Sequence, residues 1–428
     1  MPQASYSSHV AQIAQIAQTP RVEAHDERHQ LPALTGLRIV AALAVVFYHY
    51  FAVFMTWSPT NGIPVTERAP TTLWLRLLYG GTLGVDCFFV LSGFILAYTY
   101  MASTGALRGT RAAFWVARAA RIYPVYLLGL VLGMVPFLWH ERHLAGLVSN
   151  IIGQPLLLQA WVPPLTTWTS LNPPGWSLSV EAFCYLLFPF ILVTLAARSR
   201  RTLWMAAALS CVVFAVVPVV LAPLGYLSHQ PSLIWVISRV LYYNPLVRLP
   251  EFTLGVALGL LFVRRHEEPE DRHVFAATGI VVDLSLVAIA LAVIGLAFLP
   301  LPEALPTRVL AAPLLAAGIA LLALERGHLA RLLSRRGCVW LGDVSYGVYI
   351  LHVPLWAWLA WLAQRAFHVP PTAPALLPIY LMCVVGAAGL SHRYIETPAR
   401  AAIRAWWGSV SQAGSIWQAR RSIGQAVR

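Results

Sequence analysis

Two residues in one apolar stretch could do chemistry together. Arg38 and His49 both lie in LTGLRIVAALAVVFYHYFAVFMTW, residues 34–57, which is long enough to cross a bilayer as a single helix. They are eleven positions apart. At about 100° per residue, eleven steps return to the same helical face within roughly 20°. At about 1.5 Å per residue the two side chains stand roughly 16 Å apart along the axis. An ionisable group inside a membrane span is costly and is first read as functional. Either residue alone could be a snorkelling arginine or a histidine bonded between helices. A guanidinium and an imidazole stacked on one face suggest an anion site at one end of a helix and a general base further along it.

Other ionisable groups fall at matching depths. Asp86 lies in GGTLGVDCFFVLSGF, Glu181 in PPGWSLSVEAF, Glu251 in RLPEFTLGVALG and His352 in SYGVYILHVPL. Each is within the half of the membrane that holds His49. A carboxylate beside an imidazole orients the ring and supports its protonated form, so Asp86 and Glu181 are both candidates for that place. Each could equally be a packing contact between spans. Ser92, in Ser-Gly, offers a hydrogen bond to an oxyanion, or simply a small residue for close helix packing. At the opposite end, Arg118 and Arg121 open a span one turn apart on one face. Two guanidiniums so placed suit phosphate groups. Arg38 faces the same side. All three could instead be orientation signals.

The elements that must position these groups are membrane helices. The chain has 428 residues, 58% hydrophobic and 11% charged, with a formal charge of +13 and a mean hydropathy of +0.67. That composition excludes a soluble domain. The positive charge comes from 30 arginines without a lysine. They fall mostly in short loops, which marks topology rather than nucleic-acid binding. Five cysteines, all in apolar segments, offer neither a disulfide framework nor a metal pair, and no metal site is expected.

Apolar runs of about 20 residues predict an all-α bundle of about ten spans. They centre near residues 34–57, 78–101, 122–139, 176–198, 203–224, 251–264, 276–299, 309–324, 338–362 and 375–395. Residues 144–161 are read as a re-entrant or interfacial helix, because a crossing there would put the next basic loop on the wrong side. With both termini cytoplasmic, 22 arginines fall inside, seven outside and one, Arg38, in a span. Arg248 and Arg308 are counted among the outer seven. The division is a polar cytoplasmic tail over 1–30, a membrane domain over 31–400 and a basic cytoplasmic tail over 401–428. The first 30 residues lack the pattern of a cleavable signal peptide.

The stretches LTGLRIVAALAVVFYH, GVDCFFVLSGFILAY, ARAARIYPVYLLGL, PPGWSLSVEAFCYLLFP, SYGVYILHVPL and YIETPAR resemble the bacterial membrane acyltransferase family 3 over about residues 31–400. Its members O-acetylate surface polysaccharides and some small molecules. The resemblance implies that Arg38 and His49 are essential, with His49 the catalytic residue. It also implies that Arg118 and Arg121 belong to the cytoplasmic acyl-donor end. The donor would be acetyl-CoA or another short acyl-CoA, with no bound cofactor. The acceptor would be a hydroxyl of a cell-surface or lipid-linked glycan, such as an exopolysaccharide or lipopolysaccharide. The location would be the inner membrane, among its lipids and without nucleic acid. Two departures stand out. Thr35 occupies a position where the family often has Asp. Some members carry a C-terminal esterase-like domain, which the residues after the last span are too few to form. The competing readings are the same chemistry on a small molecule such as a macrolide, and a transporter or flippase of lipid-linked glycan. Against the transporter, no inverted repeat is seen.

Overall fold

A computed structural model describes residues 30–54, 73–102, 104–140, 144–162, 170–227, 231–267, 278–296, 298 and 304–426. The N-terminal tail up to residue 29 lies outside them. So do most of the loop after the first span and the HEEPEDRH loop.

The chain is all-α. Helix α1 (Pro32–Tyr48) runs on as a π-helix over His49–Phe54, and α2 (Leu73–Tyr79) joins α3 (Leu83–Tyr100) through one 3₁₀ turn. Next come α4 (Arg111–His140), α5 (Leu144–Gly153) and α6 (Trp176–Ala196), the last entered by a 3₁₀ turn over Pro173–Gly175. The middle of the chain holds α7 (Arg200–Leu227), α8 (Pro231–Tyr243), α9 (Pro245–Glu267), α10 (Gly279–Leu296), α11 (Ala304–Leu322) and α12 (Gly327–Leu333). It closes with α13 (Arg336–Phe367), α14 (Leu376–Ser391), a π segment His392–Glu396 and α15 (Thr397–Ala426).

Among the described residues nine helical stretches are long and apolar enough to cross a membrane, or ten if the pair α11 and α12, bent by 84°, forms one span. Asp283 of α10 accepts hydrogen bonds from the backbone N–H groups of His328 (2.7 Å) and Leu329 (2.9 Å), capping the start of α12. Helix α5, at ten residues, is about 15 Å long and too short to cross. The segment 401–426, read from sequence as a tail, is helical as part of α15.

Burial separates central from peripheral spans. In the most apolar stretch of the α8–α9 span 78% is buried, and 72% in the α2–α3 span, against 11% for α10. Leu284 and Leu291 of α10 are more than 60% exposed, which is neutral where the solvent is lipid. Lipid supplies no hydrophobic drive between helices, so close packing must do so. Helices α3 and α9 form the most extensive pair. A Cβ on Gly93 would lie 2.1 Å from the Phe252 carbonyl oxygen, and one on Gly255 would lie 2.0 Å from that of Val90. Only glycine permits this approach. Helix α13 packs on α1 in the next most extensive contact. These four helices, with the π-helical continuation of α1, carry Arg38, His49, Asp86, Glu251 and His352, while Arg118 and Arg121 lie on α4 and Glu181 on α6.

Candidate active site

The arginines share one cavity. Arg38 of α1 and Arg118 and Arg121 of α4 line a space of about 150 Å³. Among the described residues, Arg38 and Arg121 donate no hydrogen bond to the protein. Arg118 is held at one corner, donating to the Tyr100 hydroxyl at 3.1 Å. Its guanidinium carbon stands 5.4 Å from the centre of that ring and 5.8 Å from that of Phe114. Glu181 and Ser92 line the same cavity. The Glu181 carboxylate accepts from Ser92 Oγ at 3.2 Å and from the Tyr185 hydroxyl. Three guanidiniums against one carboxylate leave two positive charges, in a site built to take a multiply charged anion.

His49 lies in a second, smaller pocket. It holds about 50 Å³ and is lined among others by Val45, Tyr48, His49, Thr82, Trp176, Tyr242 and Tyr243. The two spaces are neighbours, with Val85 and Tyr349 in the walls of both. The ring stands where α1 widens into its π-helical turn, a distortion often found at functional positions. His49 Nδ1 donates to the Val45 carbonyl at 2.8 Å. A carbonyl can only accept, so Nδ1 carries the proton and Nε2 keeps the lone pair of a base.

His352 is brought against it. The two imidazole centres are 4.8 Å apart, edge to face. His352 Nδ1 donates to the Tyr349 carbonyl at 2.6 Å, and its Nε2 is fully buried without a hydrogen-bond partner. Both histidines therefore hold the same tautomer.

Neither candidate carboxylate stands at the His49 ring. Glu181 belongs to the arginine cavity. Asp86 sits in a fully buried ionic cluster: Arg248 of α9 reaches Asp86 at 2.9 Å and Glu251 at 3.1 Å, and Arg308 of α11 lies 3.8 Å from Asp86. The backbone carbonyl of Val45 takes the orienting place expected of Asp86 or Glu181. Arg248 and Arg308, counted as loop arginines, are in fact 0% exposed. The spacing Arg248-x-x-Glu251 puts the pair on one helical face and could have signalled it. Arg308 also donates to the Tyr242 hydroxyl at 2.5 Å, which ties the cluster to the wall of the His49 pocket. Tyrosines 48, 242, 243 and 349 and Trp176 had no mark in the sequence beyond their aromaticity.

A polar seam fixes the segment after α5. Asn172 Nδ2 donates to the Ile350 carbonyl (3.1 Å), and Gln159 Nε2 to the Gly175 carbonyl (2.6 Å). Both side chains are buried, and Pro173 and Pro174 beside them line the His49 pocket.

The stretch of chain that builds this site is similar in sequence to known proteins. A family described as an acyltransferase domain covers residues 31–392. The chain is 28% identical over 399 residues to the acyltransferase MdmB of Streptomyces mycarofaciens, covering 86% of this chain and 91% of that one. It is 27% identical over 400 residues to YrhL of Bacillus subtilis, named a putative peptidoglycan O-acetyltransferase (88% of this chain, 56% of YrhL). It is 25% identical over 395 residues to the peptidoglycan O-acetyltransferase OatA of Listeria monocytogenes (87% and 56%). The chain thus spans nearly all of MdmB but little more than half of the other two. No solved structure matches it. The residues matched take in both cavities and every helix that lines them, and the chain belongs to this acyltransferase family as a multi-pass membrane enzyme.

Proposed function

We propose that the protein is an O-acetyltransferase that draws on acyl-CoA at the arginine cavity and acylates a glycan hydroxyl at the His49 pocket. The observation that carries this reading is that the two spaces are neighbours, with Val85 and Tyr349 in the walls of both. Arg38, Arg118 and Arg121 take the donor's phosphates. The slim pantetheine arm runs along α1 and presents its thioester near His49. His49 Nε2 accepts the proton of the acceptor hydroxyl as its oxygen attacks the thioester carbonyl. The new C–O bond forms, the C–S bond breaks, and the departing thiolate takes the proton back from the imidazolium. The products are the ester and free CoA.

The names of the peptidoglycan relatives support a sugar hydroxyl as acceptor. The positive-inside pattern supports an inner-membrane location with the arginine cavity toward the cytoplasm. Ser92 and Glu181 shape the donor cavity, while Asp86 and Glu251 hold the bundle around it.

The test compares parent, His49→Ala and His49→Gln in membranes matched for inserted protein, with isotopically labelled acetyl-CoA and the surface glycan of the source cell as acceptor. Loss of a general base costs about 10²–10⁴ in rate, so both variants should fall by that factor and still bind CoA. Substantial transfer by the Gln variant would remove His49 from the mechanism and pass the role to His352. No thioester-dependent transfer by the parent would overturn acyl-CoA as the donor.

A further inference from the structure

The arrangement of the two cavities imposes an order of entry. If the nucleotide end of the donor is held by arginines in the larger cavity, the acyl end must travel first. It must pass the boundary to reach His49. That boundary is built of packed side chains. Tyr349 of α13 and Val85 of α3 line both spaces, while the adjacent residues Ser177 and Trp176 of α6 line one each. The Tyr349 hydroxyl stands 2.8 Å from Ser177 Oγ and 3.3 Å from the Pro174 carbonyl. Ser177 itself donates to Pro174 at 3.0 Å, so the phenol proton is spent on this anchor. Below the ring, the Tyr349 carbonyl accepts from His352. Tyr349 is therefore tied at both ends, to the α6 entry turn and to the second imidazole. Tyr349 and Val85 are both buried, at 5% exposure each.

We propose that Val85 and Tyr349 form a filter that selects the acyl group by its thickness, admitting straight short chains and excluding branched ones. The proposal rests on the acyl-CoA reading above. The pocket beyond the filter adds a limit on length. A water needs roughly 10–15 Å³ of such space, so its 50 Å³ suits a group of few heavy atoms, the size of an acetyl. A methyl group that does not fit a packed passage is discriminated against by about 10–200-fold. Isobutyryl, with its fork directly beside the carbonyl, presents that obstacle at the filter.

A protection experiment tests the filter without knowing the acceptor. Thr82 lines the far pocket and is replaced by Cys. Its modification by a small methanethiosulfonate is timed in the full chain, and the label at position 82 is read by peptide mass spectrometry. Binding of each thioester is measured separately by calorimetry. With acetyl-CoA at about 100 times its Kd, only about 1% of the protein is unoccupied, so labelling should slow by up to about 100-fold. Isobutyryl-CoA should bind through its nucleotide yet leave labelling within about twofold of the unliganded rate, and Val85→Ala should make it protect as acetyl-CoA does. Val85→Phe should abolish protection by acetyl-CoA while nucleotide binding persists. If isobutyryl-CoA protects the parent as well as acetyl-CoA does, the filter is refuted and the donor reading stands. If neither thioester binds, the donor reading falls and the filter with it.

Discussion

Replacing Asp86 by Ala separates a structural carboxylate from a catalytic one. In the folded chain Asp86 is 0% exposed and has two guanidiniums against it, Arg248 at 2.9 Å and Arg308 at 3.8 Å. Removing it leaves Glu251 to serve Arg248 and leaves Arg308 with no carboxylate within ion-pair distance. Breaking one partner out of a buried pair costs about 3–5 kcal/mol. That is a factor of about 10²–10⁴ in the folded-to-unfolded ratio, a large share of the roughly 5–15 kcal/mol that holds an ordinary domain together. Asp86→Ala should therefore be lost from the membrane fraction, or melt well below the parent when heated in detergent and passed over a sizing column. Removing a charge of opposite sign as well should help. The double variant Asp86→Asn with Arg248→Gln keeps one carboxylate and one guanidinium, and should be more stable than the two single changes sum to, by roughly 0.5–3 kcal/mol. If Asp86→Ala inserts and melts like the parent but transfers no acyl group, Asp86 acts in the chemistry and the structural argument is wrong.

Arg121→Ala should weaken CoA binding by about tenfold or more, because a charge-assisted contact is worth about 1.5–3 kcal/mol, with insertion unchanged. Arg121→Lys should recover only part of it, lacking the planar fork, and calorimetric binding equal to the parent's would make Arg121 a topology signal only. Gly255→Leu should drive α3 and α9 apart, since even a Cβ would lie 2.0 Å from the Val90 carbonyl oxygen; a folded yield equal to the parent's would contradict that packing. Reporter fusions after residues 62, 105, 200, 268 and 405 should read outside at the first and cytoplasmic at the other four, and an external signal at 105 would overturn the orientation, because that loop carries the strongest positive run.

Depth in the membrane was legible in the sequence, and direction around the bundle was not. The spans follow from runs of apolar residues, so the helix order and the short α5 could be read along the chain. Arg38 and His49 could be related because they share a helix, whose periodicity fixes their relative angle. Asp86 and His49 are on different helices. Their similar depth suggested a pair, yet which way Asp86 faces depends on how α3 rotates against α9. That rotation is set by Gly93 and Gly255, through contacts no single-sequence pattern reveals. Arg248 and Arg308 were misplaced for a related reason. Near the end of an apolar run an arginine reads as a loop residue, and only the carboxylates of α3 and α9 explain its burial. Tyr349 is a junction residue because α6 and α13 meet there, which is a property of the packing alone.

The buried ionic cluster also dictates an order of assembly. Asp86 precedes Arg248 by 162 positions, and Arg308 comes later still. At about 5–20 residues per second of synthesis, α3 waits roughly 8–32 s in the bilayer before its first arginine exists. A bare carboxylate is costly there, so until Arg248 arrives α3 carries that cost without an ion-pair partner from α9. The packing of α3 on α9 can be completed only when Arg248 arrives, and the charges balance only once α11 has entered. A chain cut short between α3 and α9 therefore carries an acid in the membrane without either of the arginines that face it in the folded protein.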